Sequence, residues 1–115
     1  MYKYREIKFS NTLNSQIVLP VHEFIGNKKG LVLGITCTVH GDETFPALFL
    51  KNFFEKLKEV NFKGKILATS VANSLAMTAF SRQTPEQHGK TDLHEVFPGS
   101  ATGNITQRMA FAVKE

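Results

Sequence analysis

Gly34-Ile35-Thr36-Cys37-Thr38-Val39-His40-Gly41-Asp42-Glu43 is the stretch on which the reading of this chain turns. The apolar run Leu31 to Ile35 that feeds it reads as a buried central strand. A short turn carrying His40 and Gly41 follows, and Asp42 and Glu43 then open an apolar helix expected from about Glu43 to Val60. A strand-to-helix corner therefore delivers an imidazole and a carboxylate three residues apart. Ligands of open α/β sheets collect beyond the carboxyl ends of strands. Two short side chains at that spacing can close on one divalent ion, and zinc accepts both nitrogen and carboxylate oxygen. Taken alone, His-x-x-Glu is a weak signal, and the same residues also suit a helix start, where anions meet the positive end of the dipole.

Outward from this corner, the chain alternates strand and helix patterns. Tyr2 to Phe9 reads as an opening strand, and Asn11 to Ser15 as a polar turn. Gln16 to Ile25 reads as a second strand, in which Pro20 predicts an edge position or a bulge. Gly26 to Gly30 is a turn, so these early runs could pair antiparallel with the strand beyond it. Within the helix, Leu50, Phe53, Phe54, Leu57 and Val60 keep helical spacing and Pro46 falls in the first turn, where a missing amide hydrogen costs nothing. Phe45 to Leu50 is apolar on nearly every side and is expected to be buried as core. Lys65 to Val71 closes a strand–helix–strand unit, which implies parallel pairing with a right-handed crossover. Ala72 to Phe80 reads as weak structure with a short helical turn. Ser81 to Gly103 is a long loop of the kind that carries function. Asn104 to Lys114 reads as a helix capped by Asn104, with Gln107 at the capping-box position.

Composition bounds the partners. With 115 residues, a single domain (1–115) is expected, long enough for a real core. No apolar run reaches the roughly 18 residues that span a bilayer, and Met1 to Phe9 lacks the form of a signal peptide, so no membrane partner is expected. The single cysteine, Cys37, cannot make an internal disulfide, which fits a cytoplasmic location. Its place after a strand reads as packed core rather than ligand. The net charge of +4 is spread over lysines interleaved with Glu55 and Glu59, a solvated surface rather than a nucleic-acid stripe. His22, alone on a strand, reads as an ordinary residue.

The order of the later segments is more specific than any one of them. After the His40 corner come Val71-Ala72-Asn73-Ser74-Leu75-Ala76, then Arg82, Thr84-Pro85, Asp92-Leu93-His94-Glu95-Val96-Phe97-Pro98-Gly99, and Gly103-Asn104-Ile105-Thr106-Gln107-Arg108-Met109-Ala110. From Leu31 onward this succession resembles the succinylglutamate desuccinylase/aspartoacylase family of zinc carboxypeptidase-like hydrolases. The resemblance implies a three-layer α/β/α fold around a mixed, partly parallel sheet. It implies a Zn2+-dependent deacylase of an N-acyl amino acid or a related amide or ester, and hence a small acylated substrate. By the same resemblance, His40 and Glu43 match the first two metal ligands. Arg82 matches an arginine that polarises the scissile carbonyl, and Asn73, Asp92 and His94 fall in substrate-binding positions.

Two departures qualify that resemblance. The family's Asn-Arg pair before Phe-Pro-Gly is His94-Glu95 here, and a glutamate in place of an arginine inverts the charge offered to a substrate carboxylate. Either the substrate lacks that carboxylate or the site is inactive. The family's third zinc ligand and its water-activating glutamate lie beyond the helix at the end of this chain, whereas catalytic zinc normally takes three protein ligands. His94 and His88 are weak substitutes. The expectation is therefore an N-terminal, C-terminally truncated part of a deacylase domain, either an incomplete hydrolase or a non-catalytic module binding an acylated ligand or a partner chain. A cut sheet also exposes an edge through which copies could pair.

Overall fold

The computed structural model describes residues 1–11 and 13–115. Four strands form one sheet: β1 (Tyr2–Ser10), β2 (Gln16–Ile25), β3 (Lys28–Thr36) and β4 (Lys63–Thr69). Three α-helices accompany them: α1 (Phe45–Leu57), α2 (Ser74–Thr78) and α3 (Ile105–Lys114). A 3-10 turn spans Leu93–Glu95 in the long loop. The sheet order is β1-β2-β4-β3. β1 and β2 form an antiparallel hairpin whose connection, the expected Asn11–Ser15 turn, includes Thr12, which lies outside the described residues. β4 runs antiparallel to β2 and parallel to β3, so the β3–α1–β4 crossover has the parallel pairing that its spacing implied.

The fold is α/β, with one layer of helix on each face of a mixed sheet. On one face, Leu50 and Phe54 of α1 bury against Phe24, Ile66 and Ala68, with Ile35, Cys37, Phe53 and Leu57 packed around them. On the other, Ala112 and Val113 of α3 cover Leu19, Val21 and Leu67, while Met109 and Ala110 close on Leu93 and Ala72. Removing a large side chain such as Leu50 from such a cluster costs about 2–5 kcal/mol.

Several expectations are corrected here. β3 is an edge strand rather than the central buried one: β4, not β3, lies beside β2, and Leu31, Val32 and Leu33 are exposed. An apolar run reports only that something should cover it, and no described residue does. For the same reason Phe45, Leu48 and Phe49 stand in solvent instead of core. α1 starts at Phe45, after Thr44 and not at Glu43, and it ends at Leu57, leaving Val60 exposed. Of the two expectations for Pro20, the bulge is absent and the open edge holds locally. Pro20 pairs opposite Glu6 of β1, and β2 meets β4 only over residues 22–25, so the open side of the strand has no ladder bond for a proline to remove.

Candidate metal and hydrolytic site

Beyond Thr36 the β3–β4 pairing continues through backbone bonds. Cys37 donates to the Thr69 carbonyl and accepts from Ala72, and the Thr38 carbonyl accepts from the Asn73 N–H. Thr38 is buried with φ at 53°, a left-handed conformation that a β-branched residue adopts only under constraint. Its hydroxyl donates to the Ser70 carbonyl at 3.0 Å, which helps to hold it there. The strand ends at this bend, two residues before His40. Backbone strain of this kind gathers at functional sites and costs about 1–3 kcal/mol.

Gly41 comes next because nothing larger fits. A Cβ there would lie 2.2 Å from the carbonyl carbon of Ala76 and 2.3 Å from the Ser81 carbonyl oxygen. The Gly41 N–H donates to the Arg82 carbonyl at 3.1 Å. Close backbone contact between this corner and the segment after α2 thus sets Arg82 beside the His40 turn.

The side chains then converge. His40 Nδ1 lies 3.4 Å from Glu43 Oε1, and His40 Nε2 lies 2.9 Å from Asp92 Oδ1. Arg82 Nη1 donates to the same Glu43 oxygen at 3.0 Å and lies 3.7 Å from Asp42. The His40 and Asp92 side chains are largely buried, while Glu43 and Arg82 are open to solvent. The Arg82 hydrogen bond, seconded by His40, holds the Glu43 carboxyl below its usual range. Burial works to raise the Asp92 pKa, but hydrogen bonds from His40 and from the His94 backbone N–H outweigh it and leave it lowered.

The chemistry of these contacts places a proton on one ring nitrogen. An ionised carboxylate only accepts, so His40 Nε2 carries the proton given to Asp92. Glu43 is an acceptor as well, so the 3.4 Å gap between Nδ1 and Glu43 Oε1 holds either a proton or a cation. Two tetrahedral zinc ligands at about 2.0–2.1 Å stand roughly 3.3 Å apart, close to the gap seen here. The donor set present therefore fits a zinc ion held by His40 Nδ1 and Glu43, with Asp92 orienting the imidazole from behind, as carboxylates commonly do for metal-bound histidine. Among the described residues no group of three or more His, Cys, Asp or Glu gathers to hold a metal. Cys37 packs against the core beside α1, where burial pushes its thiol pKa up.

The sequence brought His40, Glu43 and Arg82 forward, and the structure gathers all three. The substrate-binding candidates lie around that group. Asn73 is fully buried: its side chain caps α2 by accepting from the Ala76 N–H and donates to Thr84. Asp92 points at His40 rather than outward, and its other contact is the His94 N–H. His94 stays exposed, with its ring 6.3 Å from that of His40. His88 offers its backbone carbonyl to Asn104. One anchoring residue was not foreseen. The Glu86 carboxylate accepts from the Ile105 and Thr106 N–H groups and the Thr106 hydroxyl, tying the long loop to the start of α3. Its only sequence signal was its place in a polar loop ahead of a helix whose capping box already looked complete.

Comparison with known proteins gives the family and the fold. Residues 29–115 match the succinylglutamate desuccinylase/aspartoacylase catalytic domain. Over 71 residues the chain is 30% identical to the N-alpha-acetyl-L-2,4-diaminobutyric acid deacetylase of Halomonas elongata, covering 62% of this chain and 20% of that protein. Its fold superposes on an aspartoacylase family protein from Mesorhizobium loti with a TM-score of 0.88 and 28% identity, covering 98% of this chain and 35% of that one. A more distant fold relative is bovine thrombin-activatable fibrinolysis inhibitor, solved with tick carboxypeptidase inhibitor, at a TM-score of 0.62 and 16% identity, covering 96% of this chain and 47% of that one. The chain thus spans about a fifth of the curated relative and about a third of the Mesorhizobium structure.

Proposed function

For a chain that belongs to the succinylglutamate desuccinylase/aspartoacylase catalytic-domain family, we propose a part in zinc-dependent hydrolysis of an N-acyl amino acid or a related amide or ester. The observation that carries this reading is the convergence of His40 Nδ1 and Glu43 at 3.4 Å, with Arg82 on the same carboxylate. His40 and Glu43 would hold the ion. When bound, zinc supplies Lewis acidity toward a carbonyl and lowers the pKa of a water. Asp92 keeps the His40 proton on Nε2 and so keeps Nδ1 free to coordinate. Arg82 offers a guanidinium at the open mouth of the site, where it can polarise an acyl carbonyl and steady the negative charge that develops on its oxygen.

The substrate class follows from a missing charge. Glu95 stands where the resemblance called for an arginine, so a second substrate carboxylate meets no bidentate partner there. An N-acyl amino acid without an acidic side chain suits the site better than a dicarboxylate. The Halomonas deacetylase, named for an acetylated diamino acid, is consistent with that choice.

A second reading has its own support. Catalytic zinc normally takes three protein ligands, and two converge here among the described residues. The 115-residue chain alone would then bind zinc weakly and act as a module for an acylated ligand or a partner chain. Calorimetric zinc titration, run beside a hydrolysis assay on a panel of N-acetyl amino acids, separates these possibilities. We expect weak binding that disappears in both His40→Ala and Glu43→Ala, with no turnover by this chain alone. Zinc binding indifferent to both substitutions would remove the proposed metal site, and rapid hydrolysis by the isolated chain would remove the module reading.

A further inference from the structure

Asn73 takes no part in the chemistry proposed above, yet the pieces of that site meet on it. Its side chain is fully buried. The Asn73 N–H donates to the Thr38 carbonyl at 3.0 Å and so holds it against the bend that leads to His40. Its side-chain oxygen accepts from the Ala76 N–H and caps α2, the element that leads to Arg82. With the oxygen committed to a backbone donor, the amide nitrogen donates to the Thr84 hydroxyl at 2.9 Å.

Thr84 stands at the neck of the long loop. Its N–H donates to the Thr91 carbonyl at 2.9 Å, and the Thr91 hydroxyl donates to the Gln83 side-chain oxygen at 2.7 Å. The chain between them forms a lobe whose far end is tied to α3. There Glu86 accepts from the Ile105 and Thr106 N–H groups, and the Asn104 amide donates to the His88 and Lys90 carbonyls. Arg82 comes just before the neck and Asp92 just after it. From there Arg82 reaches Glu43 at 3.0 Å, and Asp92 reaches His40 at 2.9 Å. The loop therefore has two anchors, one at the neck beside the site and one at the tip away from it.

We propose that Asn73 and Thr84 are a positioning pair, whose hydrogen bond sets the neck against the His40 corner and so places Arg82 and Asp92 on their partners together. Its purpose rests on the hydrolytic reading above, although the contacts involved need no ion. A working site is held to within about 0.5 Å by side chains locked from behind. This bond suits that task because both partners are buried, with Thr84 3% exposed. A buried amide that loses its acceptor has no water to turn to, so the neck has to shift when the hydroxyl is removed. The Gln83–Thr91 bond is exposed and can exchange for water at little cost.

Nitrogen–proton NMR of the metal-free 115-residue chain tests this on the wild type, Thr84→Val, Thr84→Ser and Glu86→Gln. Two signals report the site: the His40 Nε2 proton, slowed in exchange by Asp92, and the Arg82 guanidinium nitrogens, made inequivalent by Glu43. Thr84→Val keeps the shape and loses the hydroxyl. Both signals should disappear together, and zinc affinity should fall about tenfold, the lower end of the range for groups that orient metal ligands. Thr84→Ser keeps the acceptor and should retain both signals. Glu86→Gln loosens the tip of the lobe and should lower the thermal midpoint with both signals intact, which separates positioning from stability. Thr84→Val with unchanged signals would overturn the proposal, and so would their equal loss in Glu86→Gln or their absence from the wild type. Should Thr84→Val fail to fold, Thr84→Ala, which loses the same acceptor with less crowding, is read against the same outcomes. Because both signals are measured without zinc, a wild-type chain that shows them and binds no zinc would count against the metal site and not against this pair.

Discussion

Replacing Asp92 by asparagine should disarm the candidate metal site without touching either donor. In the native arrangement Asp92 Oδ1 accepts from His40 Nε2 at 2.9 Å, and the proton held there turns Nδ1 toward Glu43 at 3.4 Å, where an ion can displace any proton between them. An asparagine of the same shape can turn its amide N–H toward Nε2 instead. The proton then moves to Nδ1, the nitrogen that must be bare to coordinate. Loss of a carboxylate behind a metal-bound histidine typically costs 10–100-fold in metal affinity, about 1.4–2.7 kcal/mol. Two measurements separate this from a general loss of structure. Ring-nitrogen NMR of the zinc-loaded chain should show His40 protonated at Nε2 in the wild type and a shift toward Nδ1–H in Asp92→Asn. Zinc calorimetry should show the affinity loss while the thermal midpoint changes little. If Asp92 instead contacted substrate, the variant would change substrate binding and leave both the tautomer and the zinc affinity alone. That pair of unchanged values would refute the reasoning.

Two further outcomes rest on named contacts. Gly41→Ala forces backbone apart where its Cβ would meet Ala76 at 2.2 Å, and overpacking of this sort costs about 1–3 kcal/mol. Thermal unfolding should show a midpoint several degrees lower, and an unchanged midpoint would mean that the corner and α2 are less tightly opposed than that distance implies. His22 lies among Tyr2, Tyr4 and Phe54, and burial lowers its pKa. The unfolded chain therefore takes up a proton at higher pH than the folded one. The stability that His22 contributes is complete above its ordinary value of about 6.5 and declines as pH falls toward the lowered one. His22→Phe should flatten the stability-against-pH curve below about pH 6.5, with the wild-type slope bounded near 1.4 kcal/mol per pH unit for one proton. Parallel curves for the two proteins would contradict this.

How much of the fold and the site was legible in the sequence depended on the range of the determining contact. The α3 start was readable because its capping box is written within four residues: Asn104 and Gln107 satisfy each other's backbone as their spacing suggested. The β3–α1–β4 unit was readable because strand and helix periodicities are local as well. The place of β3 in the sheet was not. Leu31 to Ile35 announces apolar surface, but an apolar run is the same whether its own chain or another covers it. The roles of Asn73 and Asp92 were hidden for a related reason. Asp92 meets His40 from 52 residues away, and Asn73 turns inward onto Ala76 and Thr84, so neither role could be drawn from neighbouring residues. The His40–Glu43–Arg82 grouping was visible only as a succession of weak segments whose order, rather than any single spacing, pointed to one site.

The most direct test of the shared-cation claim is a zinc titration followed at the ring nitrogens of the four histidines. His40 Nδ1 should shift on zinc addition while its Nε2 remains protonated against Asp92, and His22, His88 and His94 should keep their free-state values. Zinc that leaves His40 unmoved, or that perturbs only the other three, would contradict the claim that His40 and Glu43 share one cation.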